Sequence, residues 1–284
     1  MTWWEALILG LVQGVTEYLP VSSSGHLILA AWLLGLREDA GSRAAMNTFD
    51  LVLHMATIVA VAGLYWRRCR QIGLGLVGRD PAGLRLAVNI VIGFVPVVFV
   101  GLLLKDMIRG NLYGPWPIVT ALLLGGVLML AVHHHPRLKR LRVEGASLDR
   151  LTWQVALLIG LGQCLALWPG VSRAMMTVVV ALVLGMRAKA AAEFSFLLGL
   201  LTISAITIYE TYDGGSAMLE HLDVLPVIVG FVAATVSAGL AVKWFVGFLT
   251  RQGLAPFGWY RIAMAGVMLA LLALGLIDAG AFYG

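Results

Sequence analysis

The sequence predicts an all-α polytopic membrane protein, with six transmembrane helices and two re-entrant helical hairpins arranged as an inverted-topology repeat. Three observations lead to this fold class. The first is composition: 60% of the 284 residues are hydrophobic and 12% are charged, and the mean hydropathy is +0.92. Such a chain has too little polar surface to coat a water-soluble globule. The second and third are its recurring apolar stretches and two polar interruptions. We expect a single membrane domain over residues 1–284.

Six stretches approach the ~20 residues that a helix needs to cross ~30 Å of hydrocarbon. They are 50–66, 85–104, 117–133, 193–210, 224–245 and 259–281. Two other regions, 3–36 and 152–187, are too long for one span, and proline with small polar residues interrupts each near its middle. Non-helical backbone at that depth must line a cavity within the protein. Each region is therefore expected to enter the membrane, turn and leave on the same side.

The loop charges predict the orientation. Loops 67–85 and 134–152 each carry five Lys or Arg residues, which marks them as cytoplasmic. Loop 211–223 has three carboxylates and no Lys or Arg, so we expect it outside. Counting from these loops, the first hairpin enters from the outside and the second from the cytoplasm, and both termini are periplasmic. The net charge of +5 then reflects membrane topology, and no nucleic acid is expected as a partner.

The two halves, 1–133 and 152–284, also resemble each other. Matched residues stand 150 positions apart: Gln13 with Gln163, Val21 with Val171, and Ser22 with Ser172. Further along, Gly93-Phe94-Val95 matches Gly230-Phe231-Val232. With the opposite entry sides, these matches predict an inverted repeat, an architecture that places binding sites between broken helices near the membrane midplane.

Both interruptions carry a charged residue. A charge at the bilayer centre costs roughly 2.5 to 3.5 kcal/mol, so Glu17 and Arg173 should not face lipid. One interpretation is a structural ion pair between them. We favour a functional site, because polar side chains accompany both residues: Ser22, Ser23, Ser24, His26, Ser172 and Thr177.

The sequence PGVSR at 169–173 predicts a turn that leaves backbone N–H groups free at the start of the next helix. Those donors, the helix dipole and a guanidinium suit a phosphate group. The serines at 22–24 precede an apolar helix that begins near Leu27 and repeat this arrangement. For a single serine, plain N-capping worth ~1 kcal/mol would be the alternative.

Several roles remain open within the first motif. Glu17 could bind a divalent cation, Mg²⁺ or Ca²⁺, that bridges phosphate oxygens, or it could act as a general base. His26 suits proton transfer to a leaving phosphate, because imidazole exchanges protons near neutral pH. Ser23 could be the nucleophile or could position a water. Weaker candidates lie within the spans: Asp50, His54, Asn89, Glu193 and Glu210. For Asp50 and Glu193, which open predicted spans, helix capping is the favoured interpretation.

Four segments carry a family resemblance. They are QGVTEYLPVSSSGHL at 13–27, FDLVLHMATIVAV at 49–61, CLALWPGVSR at 164–173 and AAEFSFLLG at 191–199. With this order and spacing, the chain resembles the undecaprenyl-pyrophosphate phosphatase family, also called the bacitracin-resistance protein. The resemblance implies an integral protein of the bacterial inner membrane that hydrolyses undecaprenyl pyrophosphate to undecaprenyl phosphate. That product is the recycled lipid carrier of peptidoglycan synthesis.

The resemblance also implies roles for individual residues. The catalytic positions are Glu17, Ser23, His26 and Arg173, and the reaction depends on a divalent cation. Substrate-contacting positions are Gln13, Ser22, Ser24, Ser172 and Thr177. The partners implied are a polyprenyl pyrophosphate lipid and the membrane, and association into a homodimer is compatible with the sequence. The alternative function is a polyprenyl-phosphate transporter or flippase, because inverted repeats with broken helices are typical of secondary transporters.

Two departures from the family pattern bear on the site. Gln13 stands where some members have a second Glu, which removes one potential metal ligand or base. Ala174 and Met175 stand where the family usually has Ser and Gly, so a hydroxyl donor is lost and bulk is added beside the second turn. Turnover or lipid preference is expected to differ from that of typical members.

Overall fold

The computed structural model describes residues 1–36, 40–214 and 223–276, and these form twelve α-helices with no β-strand. The helices are α1 (Trp3–Thr16), α2 (Ser23–Leu33), α3 (Ala40–Leu64), α4 (Trp66–Leu76), α5 (Pro81–Asn111), α6 (Pro115–His134), α7 (Pro136–Glu144), α8 (Trp153–Gln163), α9 (Arg173–Val183), α10 (Ala188–Gly214), α11 (Val224–Gln252) and α12 (Ala255–Ala273). Short 3₁₀ turns occupy Leu148–Arg150 and Cys164–Leu167.

Six of the described helices are long and apolar enough to cross a membrane. They are α3, α5, α6, α10, α11 and α12, so the predicted number of spans is confirmed. The sixth predicted span, 259–281, starts earlier than expected, at Ala255, and its residues 277–281 lie outside the described part of the chain. Residues 67–85 and 134–152, which were expected to be loops, contain the helices α4 and α7.

Regions 3–36 and 152–187 are each two helices joined by a break. Residues 17–22 separate α1 from α2, and the 3₁₀ turn with residues 168–172 separates α8 from α9. Each pair packs side by side. The backbone φ is 75° at both Ser22 and Ser172, which alone among the described non-glycine residues have a positive φ. The interruptions are therefore confirmed, while re-entry into a membrane from opposite sides stays a prediction.

The first helix of each broken pair lies against a long helix of the other half. Gly10 of α1 faces Gly230 of α11, where an added Cβ would sit 2.5 Å from the carbonyl oxygen. Gly160 of α8 faces Gly93 of α5 with equally little room. Gly93 and Gly230 are the residues that the sequence comparison matched, and Gly10 and Gly160 stand 150 positions apart. The inverted repeat remains a prediction, which these paired contacts support.

The largest hydrophobic core lies among α5, α6 and α8 to α12, and it includes residues of the first break. Phe194, Phe196 and Phe245 are fully buried there, and the Tyr18 ring meets Phe196 edge-on with centroids 5.5 Å apart. Smaller clusters fill the space among α1, α2 and α3 and between α6 and α12. The first break is thus held inside the protein.

The capping roles expected for Asp50 and Glu193 are wrong. Both residues lie inside helices, because α3 begins at Ala40 and α10 at Ala188, earlier than the purely apolar stretches indicate. The Glu193 carboxylate instead accepts a hydrogen bond from Arg68 Nε at 2.8 Å. Asn89 is also structural, since its side-chain amide donates to the Leu151 carbonyl at 3.0 Å.

Candidate active site between the two broken helices

Glu17 is the centre of the site. It follows the last residue of α1, and its side chain is almost completely buried. Its Oε2 accepts hydrogen bonds from Gln13 Nε2 at 3.0 Å and from the Ser23 hydroxyl at 2.8 Å. Gln13 is one helical turn earlier in α1 and Ser23 begins α2, so the break brings both donors onto one carboxylate oxygen.

Arg173 reaches the same carboxylate from the second broken pair. Its Nη2 lies 3.5 Å from Glu17 Oε1 and has no hydrogen-bond partner among the described residues. Its Nη1 donates to the Ser195 carbonyl at 3.1 Å, and its guanidinium lies 5.2 Å from the centre of the Tyr18 ring. Gly199 leaves the space that this guanidinium fills. Nη1 is therefore held by a hydrogen bond within the protein, and Nη2 can still donate a hydrogen bond to an anion.

The two serines with positive φ differ in their side chains. Ser172 Oγ accepts from the Met175 amide at 3.3 Å and so caps α9. Ser22 makes no such cap, and its buried Oγ has no hydrogen-bond partner among the described residues. Ser24, by contrast, is exposed.

Thr177 lies one turn into α9 and contacts the residues that hold Arg173. Its fully buried hydroxyl donates to the Arg173 carbonyl at 2.9 Å and lies 2.6 Å from Ser195 Oγ. Since Ser195 also holds the Arg173 guanidinium, Thr177 and Arg173 are braced by one residue of α10. In this structure the Thr177 hydroxyl is used within the protein.

His26 is hydrogen-bonded through both ring nitrogens to groups other than Glu17. Its Nδ1 lies 2.7 Å from the Ser22 carbonyl oxygen, and its Nε2 lies 2.6 Å from the Tyr260 hydroxyl of α12. The two rings are nearly parallel, with centroids 5.6 Å apart. The structure thus brings Gln13, Glu17, Ser23 and Arg173 together and places His26 beside them, engaged with another helix.

His54 is closer to Glu17 than the sequence suggested. This residue of α3 places its Nε2 3.6 Å from Glu17 Oε2, whereas the sequence ranked it only among weaker candidates. A histidine in the middle of an apolar span was the available signal, because ionisable groups at that depth are costly unless they are partnered.

Arg261 of α12 was missed entirely. Its side chain is fully buried, and it donates at 2.8 Å to the carbonyls of Gly170 and Ala121 and at 3.4 Å to those of Pro20 and Leu122. Pro20 lies in the first break and Gly170 in the second. Carbonyls of interrupted helices need donors from elsewhere, and this one guanidinium supplies donors to both breaks.

The donor set bears on a cation. Among the described residues, no group of three or more His, Cys, Asp or Glu side chains could hold a metal ion unaided. The site does offer the Glu17 carboxylate and, beside it, the buried Gln13 Oε1, which has no hydrogen-bond partner among the described residues. Oxygen donors of this kind fit a cation that completes its coordination with phosphate oxygens and water.

Fold and site together define a multi-pass helical membrane protein with a buried, charged site between two broken helices. Its arginine and its hydrogen-bond donors are of the kind that bind a phosphate group, and the Ser23 hydroxyl lies against the Glu17 carboxylate. The chain belongs to the family described as bacitracin resistance protein BacA, whose model matches residues 6–267.

Similar proteins cover nearly the whole chain. An undecaprenyl-diphosphatase of Sorangium cellulosum is 40% identical over 274 residues, which is 95% of this chain and 87% of that protein. An undecaprenyl-diphosphatase of Aromatoleum aromaticum is 39% identical over 277 residues, or 96% of each chain. Undecaprenyl-diphosphatase 2 of Rhodospirillum rubrum is 38% identical over 274 residues, again 96% of each chain.

Proposed function

We propose that this chain hydrolyses undecaprenyl diphosphate to undecaprenyl phosphate and inorganic phosphate. One observation carries the proposal: the Ser23 hydroxyl donates to the Glu17 carboxylate at 2.8 Å, and the Arg173 guanidinium lies on the other oxygen of that carboxylate. The family and the relatives named above, which are called undecaprenyl-diphosphatases, supply the substrate class. By the same argument, the chain recycles the lipid carrier of cell-wall synthesis and contributes to bacitracin resistance.

Ser23 and Glu17 form a nucleophile and base pair. A hydroxyl within hydrogen-bond reach of a carboxylate can lose its proton to that carboxylate as it attacks. In this mechanism Ser23 Oγ bonds to the terminal phosphorus, its proton passes to Glu17 Oε2, and undecaprenyl phosphate leaves. Glu17 passes the proton it has gained to water in the site and becomes a carboxylate again. A water molecule then attacks the phosphoserine and gives one proton to Glu17. That proton moves to Ser23 Oγ as the Ser23 O–P bond breaks and inorganic phosphate is released. The Gln13 amide keeps Oε2 oriented towards Ser23 throughout.

Arg173 and the helix starts bind the terminal phosphate. The Arg173 Nη2, which has no hydrogen-bond partner among the described residues, can donate to a phosphate oxygen in a charge-assisted bond. The first amides of α2 and α9 have no carbonyl partners within their own helices, and helix N-termini favour anions. The buried Ser22 hydroxyl completes this set of donors.

A divalent cation, Mg²⁺ or Ca²⁺ in the family pattern, belongs to the same proposal, with Glu17 as its protein ligand. When bound, it would polarise the phosphoryl group and offset the charge of the diphosphate. His26 has a positioning role in this scheme, since it joins the start of α2 to Tyr260.

The location proposed is the bacterial inner membrane, with the site open to the periplasm and both termini on that side. The basic helices α4 and α7 support this orientation, because Lys and Arg near membrane spans favour the cytoplasm. Homodimer formation remains an expectation from the sequence.

Phosphate release by purified protein tests the proposal. Protein in detergent, supplied with undecaprenyl diphosphate and Mg²⁺ or Ca²⁺, is expected to release inorganic phosphate. Arg173→Ala should lower kcat/KM at least about 100-fold, because an electrostatic donor to the transition state is removed. Arg79→Ala is the matched control, since Arg79 is exposed and lies outside the site; it should match wild type.

Equal phosphate release by wild type and Arg173→Ala would refute hydrolysis at this site. Transbilayer movement of the lipid phosphate in liposomes without phosphate release would instead support the transporter alternative.

A further inference from the structure

The hydrogen bond of His54 fixes which ring nitrogen carries its proton. Nδ1 lies 2.7 Å from the Asp50 carbonyl oxygen, and a carbonyl can only accept, so Nδ1 carries the hydrogen. In a neutral imidazole the other nitrogen then presents a lone pair. That nitrogen, Nε2, is the atom 3.6 Å from Glu17 Oε2, which is also an acceptor. Two lone pairs that face each other in a largely buried site repel each other, and a positive charge between them would remove that repulsion.

The spacing suits a metal ion as that charge. Two donors about 2.1 Å from one ion lie about 3.0 Å apart at a right angle and about 3.4 Å apart at the tetrahedral angle. The 3.6 Å between His54 Nε2 and Glu17 Oε2 exceeds the right-angle separation of an octahedral ion by about 0.6 Å and the tetrahedral separation by about 0.2 Å. The His54 side chain is 31% exposed, so it has room to move the few tenths of an ångström towards Glu17 that either geometry requires.

The surrounding hydrogen bonds have the pattern of metal ligands. A ligating histidine usually donates its second ring N–H to a carbonyl or carboxylate, and a ligating carboxylate is itself hydrogen-bonded. His54 donates to the Asp50 carbonyl, and Glu17 Oε2 accepts from Gln13 and Ser23. His26 does not have this pattern, because both of its ring nitrogens are engaged within the protein.

We propose that His54 is a second protein ligand, beside Glu17, for a first-row transition cation such as Mn²⁺. The inference rests on the proposed function, because phosphate oxygens complete the coordination. Imidazole is a ligand of first-row transition metals, and carboxylate and water oxygens suit Mg²⁺, Ca²⁺ and Mn²⁺, whereas Ca²⁺ takes oxygen ligands alone. Mn²⁺ is both a first-row transition ion and one that carboxylate oxygens suit. A mixed carboxylate and imidazole pair therefore favours Mn²⁺ over Ca²⁺.

Arg173 shapes the affinity of this site. Its guanidinium lies 3.5 Å from Oε1 of the same carboxylate and repels a second cation. A diphosphate carries several negative charges and can bridge the guanidinium and the metal. Inorganic pyrophosphate should therefore raise the Mn²⁺ affinity of the protein, and by linkage Mn²⁺ should raise the affinity for pyrophosphate.

Electron paramagnetic resonance with Mn²⁺ tests the ligand directly. Purified full-length protein is titrated with Mn²⁺, with and without inorganic pyrophosphate, and the free ion is counted from its spectrum. Pulsed measurements of the bound ion then detect ¹⁴N coupling from a coordinated imidazole. In His54→Gln we expect at least about tenfold weaker Mn²⁺ binding, a lower bound set by the loss usual for outer hydrogen-bond partners, and no ¹⁴N coupling from the site.

His134→Gln is the matched control. His134 Nδ1 lies 2.8 Å from the Leu130 carbonyl, which repeats the intrahelical bond of His54 on the protein surface, without Glu17. This variant also reports any Mn²⁺ held by the neighbouring histidines, His133 and His135. It should keep both the affinity and the ¹⁴N coupling of wild type.

Three results would overturn the proposal. In the first, wild type binds Mn²⁺ without ¹⁴N coupling, and His54→Gln binds it with the same affinity. His54 and Glu17 would then form an imidazolium and carboxylate ion pair without a metal between them. In the second, wild type does not bind Mn²⁺ even when pyrophosphate is present. In the third, phosphate release depends on Arg173 but not on His54 or Mn²⁺; this would refute His54 as a metal ligand and leave the proposed hydrolase function standing.

Mn²⁺ binding as proposed, without any phosphate release, would refute the hydrolase function alone.

Discussion

The two helix breaks share a backbone design and differ in chemistry. Each ends at a serine with φ of 75°, and each presents a carbonyl, from Pro20 or Gly170, to the buried Arg261. The first break carries the carboxylate Glu17 with its hydroxyl and amide donors, and the second carries the guanidinium of Arg173. One backbone arrangement used twice thus sets two opposite charges 3.5 Å apart.

The comparison shows where the site's rigidity and its reactivity reside. Carbonyl contacts to Arg261 set both backbones, and those contacts are indifferent to the side chains at the breaks. Each break can therefore carry a different reactive group while the backbone geometry is kept. Substitutions of the shared contacts should affect both breaks together, and substitutions of the side chains should affect them separately.

Arg261→Met should have the largest effect, because it removes the donors that the two breaks share. The buried carbonyls of Pro20 and Gly170 would be left without this donor. Each such loss costs about 1 to 3 kcal/mol, so we expect a loss of about 2 to 6 kcal/mol and no phosphate release. Thermal unfolding in detergent, followed by tryptophan fluorescence, measures the first, and the phosphate assay measures the second. Arg261→Lys should recover part of both. Unchanged unfolding in Arg261→Met would show that the breaks hold their shape independently.

Gly10→Ala and Gly160→Ala should have a smaller and similar effect. An added methyl group at either position meets the backbone of the facing helix, and overpacking typically costs about 1 to 3 kcal/mol. The control is Gly63→Ala in α3, which has open space beside it and should gain slightly from alanine's higher helix propensity. The same unfolding assay compares them. A loss in one variant only would argue against equivalent packing in the two halves.

Ser172→Ala and Ser22→Ala should have the smallest effects and should differ in kind. Ser172 caps α9, so its loss should cost about 1 kcal/mol of stability. Ser22 caps nothing, so its replacement should leave the unfolding temperature unchanged and raise the KM for undecaprenyl diphosphate. Steady-state kinetics beside thermal unfolding separates the two. Equal destabilisation by both variants would show that the two serines act alike.

The sequence predicts the membrane spans, the two helix breaks and the two charged residues of the site. The lengths of the apolar stretches predict the six spans, because the thickness of the bilayer sets a minimum length for a spanning helix, and six described helices meet it. Proline and polar residues inside regions 3–36 and 152–187 indicate the two breaks, since such residues are costly at that depth. The charges Glu17 and Arg173 then mark the site, and the structure places them in contact.

The parts that the sequence does not predict depend on distant neighbours. Arg261 is one cation in an apolar stretch, and only the folded chain shows that it lies between two breaks. His54 gains its importance from Glu17, which is on another helix. Asp50 and Glu193 were misplaced because hydropathy marks where a helix becomes apolar, while α3 and α10 begin in more polar sequence before that point.

The position of Arg261 in α12 also sets an order of events during synthesis. Glu17, Ser23 and Arg173 are all translated before α12, the last described helix. Until that helix arrives, the carbonyls of Pro20 and Gly170 lack the guanidinium that joins them. A nascent chain that stops before Ala255 therefore holds every reactive group and no finished site. The contact that joins the two breaks thus comes from a helix that is translated after every reactive group.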